Sequence, residues 1–173
     1  MSTFDAVMGQ IKGELNSYQP PHNFGGRAFV SRERSMARQR ALQALYQWQQ
    51  AGQDIDVIEH QFLTDQEMDR VDVEYFKELL HAIPSNLDAL DAIIVPHLDR
   101  KINEVDHVER AILRIGTYEL KSRLEIPYKV IINEAIELAK KFGADKSHRY
   151  VNGVLDVLSK ELRELERQSQ QAQ

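Results

Sequence analysis

Cysteine is missing from this chain of 173 residues. Disulfides, thiolate nucleophiles and cysteine-ligated metals are therefore excluded, and the composition fits a cytoplasmic protein. No apolar run approaches the roughly 18 residues that a membrane helix needs, so no span is expected. The opening Met1-Ser2-Thr3-Phe4-Asp5 lacks the basic and apolar regions of a secretory signal, and no export is expected. Also absent are a Gly-rich phosphate loop, a Gly-x-Ser-x-Gly elbow, any credible run of alternating strand and any repeat of solenoid period. Net positive charge is lacking too: 22 Lys and Arg stand against 27 Asp and Glu, a balance of −5. Such a body does not coat nucleic acid indiscriminately, so any nucleic-acid contact has to come from a local basic patch.

What is present is helical period. A hydrophobic share of 42% and a charged share of 28% predict one soluble domain that buries about two-thirds of its unfolded surface. Ile126 to Gly143 reads as a helix with Pro127 near its first turn and Gly143 just past its last. Ala135, Leu138 and Phe142 on it recur at helical steps. Ser147 opens another helix carrying Val151, Val154, Leu155, Leu158, Leu162 and Leu165. Between the two, Asp145, Lys146, His148 and Arg149 crowd a short, accessible turn. Earlier in the chain, Asp54 caps a helix with Ile58 and Phe62, and Asp72 caps one with Phe76, Leu79 and Leu80. Pro84 interrupts or restarts the pattern, which Leu87 to Ile94 continue until Pro96. Asp106-His107-Val108-Glu109 has the spacing of a cap ahead of Ile112, Ile115 and Leu120. The expected fold class is all-α, a compact bundle of about seven helices. Residues 1–30 are expected to be a flexible N-terminal extension, 31–165 the domain, and 166–173 a disordered tail with nothing to bury.

The basic patch lies at the start of that domain. Arg27, Arg32, Arg34, Arg38 and Arg40 stand against Glu33 alone, the sharpest charge reversal in the sequence. A helix from about Ser31 to Gln50 carries an Ala37, Ala41, Ala44, Leu45 and Trp48 stripe and ends at Gly52. Arg34 and Arg38, one turn apart, are expected at the rim of the core, where a guanidinium faces a phosphate or stacks on a base. A solvated helix start explains the cluster equally well. Trp48 reads as core. Tyr46 points away from the stripe and Tyr150 follows Arg149 in the charged turn, so both suit base stacking as well as rim packing.

Catalytic signals are weak. Glu104 and His107 have the Glu-x-x-His spacing of carboxylate-bridged metal bundles, but only one copy exists and Asp106 is occupied as a cap. Glu134 and Glu137, followed by Lys140 and Lys141, look like surface pairing. No catalytic residue, metal or cofactor is expected, and the chain does not read as an enzyme.

Several runs resemble the family of bacterial transcription antitermination factor NusB. They are Ala41-Leu42-Gln43-Ala44-Leu45-Tyr46, Glu109-Arg110-Ala111-Ile112-Leu113-Arg114-Ile115, Pro127-Tyr128-Lys129-Val130, Asn133-Glu134-Ala135-Ile136-Glu137-Leu138-Ala139 and Val151-Asn152-Gly153-Val154-Leu155-Asp156. The similarity runs in unbroken order from Arg34 to Arg163. It implies a fold of two packed helical subdomains and an RNA-binding factor. Such a factor binds boxA, a short single-stranded RNA element, together with NusE, a ribosomal protein that doubles as an antitermination factor. The implied role is processive transcription of ribosomal RNA operons within the RNA polymerase antitermination complex. Carried over by position, the resemblance implies RNA contacts from Arg34, Arg38, Gln43 and Tyr46, and from Lys146, Arg149, Tyr150 and Asn152. It also points to Glu109 as a partner for a basic NusE residue. The family usually begins close to its basic first helix, Ser35 and Met36 interrupt the arginine cluster, and Tyr150 stands where phenylalanine is common. Two rival readings are a non-enzymatic helical protein-interaction module and the regulatory helical domain of an RNA-modifying system. The oligomeric state stays open between a monomer and a homodimer.

Overall fold

In the computed structural model, which describes residues 31–172, every regular element is helical. α1 spans Arg32–Ala51, α2 Ile55–Asp65, α3 Val73–Ser85, α4 Leu87–Ile94, α5 His107–Ser122, α6 Tyr128–Phe142, α7 Ser147–Leu162 and α8 Glu164–Gln171. Two 3-10 turns, Val95–His97 and Ile102–Glu104, join α4 to α5. The expected N-terminal extension lies outside the described residues.

Three helices begin at the expected caps and α1 is capped by Ser31, where its start was expected; the side-chain oxygens accept from otherwise orphaned amides. Ser31 Oγ accepts from Arg34 N at 3.1 Å, Asp54 from Asp56 N at 2.8 Å, Asp72 from Tyr75 N at 3.0 Å and Asp106 from Val108 N at 2.9 Å. Each such cap is worth about 1 kcal/mol. Gly52 ends α1 at φ 60°, in the left-handed region where a Cβ is penalised. Pro127 is the residue just before α6 rather than a member of its first turn.

The helix at the centre is α5, which packs against α1, α3, α4, α6 and α7. Every residue from Arg110 to Leu120 is buried, as expected of a helix wrapped on all sides. At Gly116 an added Cβ would sit 2.8 Å from Leu155 Cδ1, so glycine permits the close approach of α7 to α5.

Burial on α1 overturns the reading of its arginines. Arg38 is 0% exposed. Its Nε and Nη2 donate to the Glu119 carboxylate on α5, Nη2 at 2.8 Å, and its Nη1 lies 3.9 Å from Glu134 Oε2 on α6. Tyr75 Oη on α3 donates to Glu119 as well, and Ser35 Oγ donates to Glu134 Oε1 at 3.0 Å. One buried polar cluster thus ties α1, α3, α5 and α6 together. Burial disfavours charge on Arg38, but the Glu119 carboxylate outweighs it and holds the guanidinium above its ordinary value. Glu134 is not the surface residue expected from its spacing to the lysines. Burial raises its pKa, with Arg38 and Ser35 opposing. A raised carboxyl means that the folded state binds the proton more tightly, so stability should rise as pH falls from that raised value toward the ordinary glutamate range. Glu134→Gln, which keeps an acceptor for Ser35, is expected to flatten this part of the stability-against-pH curve measured by urea unfolding.

The C-terminal residues also depart from expectation. From Glu164 they form α8, because polar groups hold what apolar ones do not. Arg163, buried, donates to Leu120 O at 2.7 Å, Ile126 O at 3.0 Å, Arg123 O at 3.0 Å and Glu119 O at 3.2 Å. Glu166 accepts from Arg163 at 2.6 Å and from Tyr128 N at 3.0 Å, while Arg167 lies over the Tyr128 ring at 4.7 Å. These contacts anchor the first turn of α8 to the junction of α5 and α6.

Candidate nucleic-acid interface

Of the arginines that suggested a basic patch, Arg27 lies outside the described residues. Arg32 is exposed and Arg34 is partly exposed. Arg40 is buried, donating to Glu67 O at 2.9 Å, and Arg38 faces the core. Gln43 is 2% exposed. Arg38 and Gln43 are therefore corrected from candidate RNA contacts to interior residues. Arg34 lies over the Tyr75 ring at 4.2 Å and 3.7 Å from Asp72 Oδ2. It precedes Tyr46 by a run of α1 about 18 Å long at 1.5 Å per residue. The eight candidates do not form one patch.

A different centre collects most of the rest. The N-terminus of α5 sits between the last turns of α1 and the start of α7. On the α1 side, Tyr46 meets His107 edge-on at 6.0 Å, and Gln50 Nε2 donates to Tyr46 Oη at 3.2 Å. On the α7 side, Ser147 Oγ donates to Glu109 Oε1 at 2.7 Å. Glu109 thus fixes the turn that carries Lys146 and Arg149, and it remains half-buried with its second carboxylate oxygen outside that bond. Tyr150 follows Ser147 by one helical turn. Lys146, Arg149 and Asn152 are exposed on the same part of α7, and no side-chain hydrogen bond or ion pair engages them among the described residues.

Sequence reasoning missed Arg100, which lies over the Tyr150 ring at 4.8 Å and pairs with Asp99 through Nε at 2.7 Å and Nη2 at 3.1 Å. Tyr150 Oη approaches Asp99 Oδ1 at 3.5 Å. The half-buried phenol is raised above its ordinary pKa by burial and then by Asp99, so the ring stays neutral and its hydroxyl stays a donor. A neutral ring with a cation beside it is a surface on which an unpaired base stacks and a phosphate is neutralised. The only sequence hint of Arg100 was a basic pair, Arg100-Lys101, in a loop after Pro96.

His107 is held below its ordinary pKa by burial and then by Arg110, which keeps it neutral near pH 7. It faces Tyr46 and Arg110, and Glu104 turns to Lys101 N at 3.4 Å, so the Glu-x-x-His pair does not converge. Elsewhere, Asp56, Glu59 and His81 place ligand-type atoms within 4.8 Å of one another. A contact of 3.2 Å between His81 Nε2 and Glu59 Oε1 already accounts for two of them.

The profile of the NusB family matches residues 35–160. This chain belongs to the NusB family. The NusB proteins of Shewanella sp. (strain W3-18-1) and Shewanella oneidensis, each described as a transcription antitermination protein, are 56% identical to it over 126 residues. Those alignments cover 73% of this chain and 94% of each relative. The solved NusB of T. maritima superposes with a TM-score of 0.66 at 31% identity, covering 76% of this chain and 92% of that one. A second solved NusB, crystallised with NusE and dsRNA, gives a TM-score of 0.62 at 29% identity over 76% of this chain and 99% of that one. For the NusB fold, the matched region begins at Ser35, within the first turn of α1, and ends at Lys160 near the end of α7.

Proposed function

We propose that this NusB-family chain is a transcription antitermination factor. It binds boxA-type RNA together with NusE and joins the RNA polymerase antitermination complex on ribosomal RNA operons. The observation that carries the reading is the α5 N-terminus, around which Tyr46, Glu109, Lys146, Arg149 and Tyr150 gather. Roles divide by chemistry. Lys146, Arg149 and Arg100 meet backbone phosphates, Tyr150 and Tyr46 stack bases, Asn152 reads a base edge, and Glu109 pairs with a basic residue of NusE. The RNA-binding unit is residues 31–165, acting in the cytoplasm. No helix among the described residues is long and apolar enough to cross a membrane. Arg34, at the other end of α1, contacts only RNA long enough to follow that helix.

The test is a titration with boxA-like RNA in the presence and absence of NusE. NusE is expected to raise the affinity, because a small cationic patch on an acidic body becomes part of one larger surface. With NusE present, Tyr150→Ala is expected to lose about 1–3 kcal/mol per stacked base and to leave the salt slope nearly intact, while Tyr150→Phe retains most of the affinity. Arg149→Ala is expected to lower the salt slope by about one unit and to weaken all sequences alike. Parent-like binding by both alanine variants, folded by circular dichroism, would remove the site from this face. A second reading, in which the ligand is duplex, is favoured by the dsRNA in the solved relative. A duplex of the same sequence that bound more tightly than the single strand would select it, since a paired base cannot stack on Tyr150.

A further inference from the structure

Beside the Tyr46 face, a cleft of about 260 Å³ is lined by Trp48, Gln49, Gly52, Arg110 and Arg114. Its two arginines are 8% and 6% exposed, and they sit one turn apart on α5, where like charges repel. Their surroundings differ. Arg114 is neutralised by Asp91 through Nε and Nη2, both at 2.9 Å, and its Nη1 donates to Gln49 Oε1 at 2.8 Å. Arg110 has only neutral acceptors: His107 Nδ1 lies 2.6 Å from Nη2, and Ile102 O lies 3.4 Å from Nη1. Its Nε is buried without a partner, and no carboxylate stands within ion-pair distance of it among the described residues. Burial, and then the neighbouring Arg114, hold this guanidinium below its ordinary pKa, opposed by Asp91 and Asp106 from beyond ion-pair distance. A buried cation left with an idle donor is costly unless a counter-charge arrives.

We propose that this cleft is a binding site for a phosphate-class oxyanion, held by the Arg110 guanidinium, which turns toward the cleft to offer its unpaired Nε, and by the field of Arg114. A guanidinium fork matches the oxygens of a tetrahedral anion, and the cleft has room for a phosphate with an ester substituent. The anion comes either as free phosphate or as a backbone phosphate of a strand leaving the Tyr46 face. Neither source depends on Tyr150.

The protein carries its own reporter, since its single tryptophan, Trp48, lines the cleft. Inorganic phosphate titrated into the full chain at constant ionic strength is expected to change Trp48 fluorescence saturably, with chloride as the reference salt. In Arg110→Gln the midpoint is expected to move up by about tenfold or more, the equivalent of one lost charge-assisted hydrogen bond. Arg110→Lys, which keeps the charge and loses the fork, is expected to bind at intermediate strength. A short RNA strand that gives the same signal and competes with phosphate identifies a nucleic-acid source; phosphate binding without an RNA response identifies the free anion. A parent titration that follows chloride overturns the site whatever the variants do. So does an equal response in a folded Arg110→Gln, and an equal response to acetate replaces phosphate with carboxylate. RNA-binding loss in Tyr150→Ala with the phosphate midpoint unchanged separates this site from the stacking face.

Discussion

Glu119→Ala is expected to cost the protein about 3–5 kcal/mol in urea unfolding, because it strands a fully buried guanidinium. Arg38 is 0% exposed, and among the described residues Glu119 supplies the only carboxylate that its hydrogen bonds reach, Nε at 3.0 Å and Nη2 at 2.8 Å. Glu134, at 3.9 Å from Nη1, is too distant to replace it. Removal of Glu119 also strips the acceptor from the Tyr75 hydroxyl, whose proton burial and then Glu119 now hold well above the ordinary phenol range. Against a total stability of about 5–15 kcal/mol for an ordinary domain, this is a large fraction. Filling both positions apolarly should behave differently. Arg38→Met with Glu119→Leu removes both desolvation penalties at once and is expected to recover part of the loss, with Tyr75 still lacking its acceptor and Glu134 its cation. A Glu119→Ala midpoint within error of the parent would mean that water reaches Arg38.

Arg163→Ala is expected to lose about 2–4 kcal/mol, because it strips the donor from two carbonyls, Leu120 O and Ile126 O, at about 1–3 kcal/mol each. Arg163 donates to the carbonyls of Glu119, Leu120, Arg123 and Ile126, so one side chain closes the end of α5 and the turn into α6. Glu119 O and Arg123 O also accept from the backbone amides of Arg123 and Ile126, whereas Leu120 O and Ile126 O depend on Arg163. Arg163→Lys should recover little, since a single ammonium cannot spread across these positions as a planar fork does. Amide hydrogen exchange is the direct check: in Arg163→Ala protection should fall first at 119–128. A loss spread evenly over the bundle would contradict this role.

How much of this was legible in the sequence depended on the range of the interaction. The caps at Asp54, Asp72 and Asp106, the helix start at Ser31 and the stop at Gly52 are local chemistry, and each stands where it was read. The fate of Arg38 was not legible. An arginine beside an alanine stripe gives the same pattern whether it meets solvent or Glu119, which lies 81 residues away. Glu134 was misread for the same reason, its partner Ser35 being 99 residues distant. The stripe on α1 was also read too narrowly: Ala37 to Leu45 are all buried, because α2, α3 and α5 pack around that helix. In the candidate interface, Tyr46 and Tyr150 were singled out as candidates from local signals and family resemblance, and Glu109 from the resemblance alone. Arg100 is brought over Tyr150 only by the packing of the loop before α5 on α7. The last helix escaped because periodicity registers apolar faces, and α8 is held at its start by charged side chains on Tyr128 and Arg163.

Arg163 also has a meaning for the order in which the molecule becomes complete during its synthesis. The carbonyls that it satisfies precede it by 37 to 44 residues. At about 5–20 residues per second, a ribosome takes about 2–9 s to add that length. Throughout this interval α5 has its full sequence and its Arg123 cap, while the carbonyls of Leu120 and Ile126 wait for their donor where α6 must dock. Arg163, the residue that follows α7, therefore completes the junction at the centre of the protein, and a chain that stops short of it is expected to leave that junction unsatisfied.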